Sequence, residues 1–167
     1  LLLEKDCWGN KKVRWPKYKC PTVCLNSRYW KFQEINMASI FTQIIEGEIP
    51  CYKVAEDDKF NAFLDINPNA KGHTLCVPKE EIDKVFDMGE HMYLQLMQFS
   101  RKVARALEKT VPCKRVGMAV VGLEVPHVHV HLIPLNEMDD MRFTKKVKMT
   151  SEEFEMLADT ISEKLKQ

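Results

Sequence analysis

The stretch HVHVHLIP, residues 127–134, limits the folds open to this chain more than any other segment. Three of the five histidines sit at alternate positions, His127, His129 and His131, with Val128, Val130 and Leu132 interleaved. Successive side chains in a strand point to opposite faces, so period-two patterning puts the imidazoles on one face and the aliphatic groups on the other. The aliphatic face needs a core to cover it. A sheet with one packed face and one working face is the property of antiparallel sheets.

The rest of the chain supplies such a sheet and its cover. ASIFTQIIEGEIP reads as a short helix stopped at Gly47 and Pro50, and CYKVAEDD as a strand ending in a charged turn. KFNAFLDI alternates and HTLCVP follows after the turn NPNAKG, which predicts a hairpin with a longer loop. EEIDKVFDM reads as a short helix. From about Glu90 to Thr110, Met92, Leu96, Phe99, Val103 and Leu107 form one helical stripe. KRVGMAVVG is a further strand. Thr150 and Glu153 form a capping-box signature ahead of the stripe Phe154, Leu157, Ile161 and Leu165. The expected class is α+β, an antiparallel sheet of about five strands with helices packed on one side.

Composition sets a boundary near Met37. Residues 1–36 carry a net charge of +5 and all three tryptophans, whereas the remainder carries −4. Cys7, Cys20 and Cys24 lie in that segment without a histidine, one ligand short of a closed zinc site. Its periodicity is neither 2 nor 3.6, and a methionine stands just where the tidy pattern starts. We read 1–36 as a mobile extension or as upstream sequence outside the working protein, and 37–167 as the catalytic domain with a C-terminal helix. Cys51, Cys76 and Cys113 lie in apolar surroundings, so a reduced, cytoplasmic protein without a disulfide framework is expected. No apolar run reaches the ~18 residues of a membrane span.

Two chemistries use clustered imidazoles. At about 3.3 Å per residue, His127 and His131 are ~13 Å apart along a straight strand, so all three histidines cannot grip one ion. Two of them could, with His73 or, less well, His91 added from elsewhere. The other chemistry is nucleophilic catalysis: a neutral imidazole attacks through one nitrogen when a fixed acceptor holds the proton on the other. The flanking histidines then donate to an anion. Nitrogen nucleophiles suit phosphorus, which points to phosphoryl or nucleotidyl transfer with no obligatory metal.

HVHVHLIP resembles the signature of the histidine triad (HIT) family. IFTQIIEGEIP and AFLDINPNAKGHTLCVPK precede it in that family's order and spacing, so the resemblance covers about 38–135. It implies a homodimer with an α+β core that hydrolyses or transfers purine nucleotide conjugates, either nucleoside phosphoramidates or dinucleoside polyphosphates. No cofactor, nucleic acid or membrane partner is implied. His129 aligns with the nucleophile that becomes nucleotidylated at the α-phosphorus. His127 and His131 align with the flanking members that order it and contact phosphate oxygens, and His73 with a fourth, buried histidine. Asp65 aligns with the carboxylate that takes the ribose hydroxyls. Phe41, Ile44, Phe63, Leu64 and Ile66 align with the apolar base pocket.

The chain also departs from the pattern. The loop before the triad is reduced to VVGLEVP, with Leu123 and Glu124 where glutamine and a hydroxyl residue are common, and an asparagine near Val121 is absent. Glu124 is a candidate contact for the leaving group, or simply a solvated loop residue. Some relatives carry a zinc-binding cysteine pair where Ser39 and Thr42 stand here, so structural zinc is not expected. The alternatives to a hydrolase are a nucleotide sensor or scaffold with little turnover, and a metal-dependent hydrolase.

Overall fold

The computed structural model describes residues 38–166; the extension expected over 1–36 lies outside the described residues. Five strands form one sheet: β1 (Lys53–Glu56), β2 (Phe60–Leu64), β3 (Thr74–Pro78), β4 (Arg115–Ala119) and β5 (Val130–Leu135). Their order is β1-β2-β3-β5-β4 and every neighbouring pair is antiparallel. Three helices accompany them: α1 (Ile40–Ile45), α2 (Glu90–Thr110) and α3 (Ser151–Leu165).

Alternation along the strands divides the molecule into two apolar layers. Phe60, Ala62 and Leu64 of β2, Cys76 of β3 and Val130 and Leu132 of β5 face the larger core with Val128. Leu96, Phe99, Val103 and Leu107 of α2 close it, joined by Phe154, Leu157 and Ile161 of α3. Each such side chain contributes roughly 1.5–3 kcal/mol by leaving water. α3 starts where the sequence signals it: Thr150 Oγ1 accepts from Glu153 N–H at 3.3 Å, and Glu153 Oε2 accepts from Thr150 N–H at 2.8 Å. Tyr52, just before β1, stacks on Phe154 of α3 with ring centroids 4.7 Å apart.

Three expectations need correction. The helices do not all lie on one side: α1 packs through Phe41 onto Phe63, Leu75 and Val77, on the face opposite α2 and α3. Its apolar residues cluster around Phe41 and suit a small second layer. The helix expected over 80–88 is only a 3-10 turn, Val85–Asp87. Hydrogen-bonded strand pairing begins at Val130, so His131 alone of the triad lies in regular β5, while His127 ends a bend. His127 N–H bonds back to Val125 O at 2.9 Å, and Val128 N–H turns to Ile82 O at 2.7 Å, which takes these amides out of the ladder.

Gly72 fixes the entry to β3. Its φ is +87°, and a Cβ there would meet Val111 Cγ2 at 2.8 Å. Glycine alone combines that left-handed backbone with that approach. The turn delivers His73, fully buried, beside β5.

Candidate active site

The histidines converge because β3 and β5 are neighbours. Leu75 stands opposite His131 in register, and the residue before the strand, His73, reaches across to it. His73 Nε2 lies 3.0 Å from His131 Nδ1. His73 Nδ1 accepts the Asn69 amide proton at 3.2 Å. That bond settles the protons. His73 carries its hydrogen on Nε2 and donates to His131 Nδ1; His131 therefore carries its own on Nε2, available as a donor.

His129 has the opposite polarity. Its Nδ1 lies 2.7 Å from the carbonyl oxygen of His127, which can only accept. In the neutral ring Nδ1 is therefore the protonated nitrogen, and Nε2 carries the lone pair. The rings of His129 and His131 meet edge to face with centroids 4.8 Å apart. A free lone pair and an N–H donor thus stand side by side. Phe41 closes one flank, its ring 5.0 Å from that of His129 and 5.9 Å from that of His127.

His127 is committed to the protein on both nitrogens. Nε2 donates to Pro78 O at 2.8 Å, and Nδ1 faces Ser39 Oγ at 2.7 Å. The ring is fully buried. It is not free to donate to an anion, so the expectation that both flanking histidines touch phosphate applies geometrically to His131 alone.

Burial governs the electrostatics. It pushes His73 down to about 4, against the pull of the Asp65 carboxylate. It pushes His131 down to about 3, with His129 and His73 adding to the effect. His127 is lowered by burial too, against the Pro78 carbonyl that favours its charged form. All three are neutral in ordinary buffers, as the tautomer assignments require.

The other sequence candidates divide. Asp65 is half-buried at the end of β2; Oδ1 accepts from Asn67 N–H at 2.8 Å, and Oδ2 lies 3.4 Å from His73 Nδ1. Phe41, Phe63 and Ile44 share the apolar layer of α1. Leu64 does not join them: strand alternation sends it into the core under α2. Ile66 is exposed and borders a groove shared with Cys51, Tyr52 and Asp159; Cys51 also packs against the Phe41 layer. Glu124 and Leu123 are exposed in the bend before the triad, while Val125 packs onto the Phe41 layer.

Two contributions were not visible in the sequence. Phe143, in the polar segment after β5, lies edge-on to His131 at 4.9 Å and to His73 at 6.4 Å. Lys146 follows it, donating to Asn69 Oδ1 at 2.9 Å, with its ammonium 5.9 Å from the Phe143 ring centroid. That segment carries no periodicity, and Val147 N–H to Pro68 O at 2.8 Å is what pins it to the turn before His73.

Residues 46–138 match the family model of the HIT domain. The chain belongs to the HIT family. An uncharacterized HIT-like protein of Borreliella burgdorferi is 36% identical over 132 residues, covering 74% of this chain and 95% of the relative. Adenosine 5'-monophosphoramidase hnt1 of Schizosaccharomyces pombe is 33% identical over 133 residues, 78% of this chain and 100% of that protein. Among solved structures, a hypothetical histidine triad nucleotide-binding protein from Sulfolobus tokodaii superposes with a TM-score of 0.65 at 30% identity, covering 75% of this chain and 91% of that one. The residues matched by the HIT model end at 138, before Phe143 and Lys146.

Proposed function

We propose that the protein hydrolyses purine nucleotide conjugates through a nucleotidyl-histidine intermediate on His129, releasing a nucleoside monophosphate. The observation that carries this reading is the 2.7 Å contact from His129 Nδ1 to the His127 carbonyl, which leaves Nε2 unprotonated beside the His131 donor. Nε2 attacks the α-phosphorus; a P–N bond to His129 forms as the bond to the leaving group breaks, and the leaving group takes up a proton from solvent. The resulting imidazolium keeps its Nδ1 proton on the His127 carbonyl. His131 Nε2–H donates to a phosphate oxygen. Water then attacks the same phosphorus and gives up a proton to solvent, the P–N bond breaks, the monophosphate departs, and His129 returns neutral. Asp65 is assigned to the ribose hydroxyls, and Phe41, Ile44, Phe63 and Ile66 to the base.

An adenosine phosphoramidate is the first substrate to test, supported by the name of the fission-yeast relative. The deciding experiment incubates labelled substrate with the protein, quenches it, and looks for a nucleotidyl-protein adduct. Binding of AMP with neither adduct nor turnover would favour the sensor reading, for which the exposed, shortened loop bearing Leu123 and Glu124 is the structural argument.

No metal is required in this scheme. Donor atoms of Asp65, His73 and His131 lie within 4.8 Å of one another, close enough to hold an ion. An ion there would have to displace the His73–His131 and Asn69–His73 hydrogen bonds. Turnover is expected to stay within about twofold after treatment with a chelator. Loss of activity restored by one divalent metal would favour the metal-dependent route.

We also propose a homodimer formed along the edge of β4, which has no further strand beside it among the described residues. Met118 on that strand is exposed, as are Val120 and Val121 just beyond it. An uncovered apolar edge strand is a pairing site. Light scattering should give twice the monomer mass, and charged substitutions at Met118 and Val120 should yield monomer.

A further inference from the structure

The polar cluster where α1 meets the triad links Glu81 to His127. Glu81, exposed in the segment after β3, takes two protons on Oε2: the backbone N–H of Ser39 at 3.1 Å and the hydroxyl of Thr42 in a short hydrogen bond. An ionised carboxylate only accepts, so the Thr42 hydroxyl proton is committed to it. Ser39 Oγ accepts the Thr42 N–H at 3.1 Å as the N-cap of α1. Thr42 Oγ1 lies 3.0 Å from Ser39 Oγ and can no longer donate to it; the Ser39 hydroxyl proton goes to the nearer acceptor, His127 Nδ1 at 2.7 Å. His127 then holds its own proton on Nε2, where Pro78 O accepts it. Its carbonyl in turn takes the Nδ1 proton of His129. The donors diverge from the start of α1: Ser39 N–H and the Thr42 hydroxyl run to Glu81, the Ser39 hydroxyl runs to His127, and His129 donates to the carbonyl of that same His127.

We propose that Glu81, acting through Thr42 and Ser39, is a positioning group for the nucleophile: it clamps the start of α1 against His127 and holds that ring, and hence the carbonyl beneath His129, in one orientation and tautomer. This rests on the reading of His129 as nucleophile. Stability alone is a weak reason for the arrangement. Glu81 is exposed, and solvent screens what its carboxylate contributes to the fold. Groups that orient a functional histidine matter far more to activity, typically about 10–100-fold. The two hydrogen bonds to Glu81 also hold its carboxyl below the usual carboxylate range, so it is ionised at neutral pH.

The test compares Glu81→Ala, Glu81→Gln and Ser39→Ala by steady-state kinetics on an adenosine phosphoramidate and by nitrogen-15 NMR of the histidine rings without substrate. In the unaltered protein, His127 should appear as the single Nε2–H form. Glu81→Ala and Ser39→Ala should lower kcat by about 10-fold or more with KM within about twofold, and His127 should become a mixture of tautomers. Glu81→Gln retains an acceptor for Thr42 and should recover most of both. Unchanged kcat, or a lower kcat with the His127 signals unmoved, overturns the proposal. If the unaltered protein shows no turnover but Glu81→Ala still releases His127 into two tautomers, the clamp stands and the hydrolase reading fails.

Discussion

Replacing His129 with alanine is expected to reduce hydrolysis of an adenosine phosphoramidate by at least about 10⁴-fold and to abolish the labelled protein adduct. The loss falls on kcat, because the missing atom takes part only in the bond that forms. The side chain packs edge-on against Phe41 and His131 and makes one hydrogen bond, to a carbonyl of its own segment. Removing it should leave the fold and nucleotide binding largely intact, so AMP affinity within a few-fold of the unaltered protein is the control. Residual turnover near the starting rate would remove His129 from the nucleophile's role. Persistence of the adduct would point to another residue.

Acidification should destabilise the protein well above the range where carboxylates titrate. In an unfolded chain His73 and His131 protonate near pH 6.5. Folded, burial holds them neutral until about 4 and about 3. Between those limits the unfolded chain binds more protons, so stability falls as pH falls. The contribution is fully present above about pH 6.5 and is lost progressively toward the two folded values. From about pH 7.5 to about pH 5 the pair should cost on the order of 2–4 kcal/mol, a drop in Tm of roughly 10 °C for a domain of this size. Glu56, held at about 2 by Lys53 and Lys79, contributes only at lower pH, so this window isolates the histidines. A His73→Asn/His131→Asn double variant should show a much flatter Tm profile across it. An equal slope in the double variant would place the pH dependence elsewhere.

The layering was legible because hydrophobic alternation is a local record of burial. Phe60, Ala62 and Leu64 announce one face of β2, and Leu96, Phe99, Val103 and Leu107 announce the stripe of α2 that covers it. The capping box at Thr150 and Glu153 was legible for the same reason, since all its partners lie within one turn of chain. Leu64 shows the limit of a family alignment read as a pocket list: its neighbour Phe63 faces the site, and a period of two puts Leu64 in the opposite layer. The position of α1 was not legible. A six-residue helix carries too little pattern to say which side of a sheet it covers.

What the sequence determined by itself is the alternation of the three histidines with aliphatic side chains, the hydrophobic cover behind them, and the separation of chemistry from core that alternation imposes. What the tertiary structure decided is the proton on each ring. Asn69, Pro78, Ser39 and the His127 carbonyl assign the tautomers, and two of these lie 49 and 88 residues from the ring they hold. The reason is physical: an imidazole's role depends on which nitrogen keeps its lone pair, and its hydrogen-bond partners set that. Three histidines that look equivalent in HVHVHLIP thereby become a buried strut, a free lone pair and a donor.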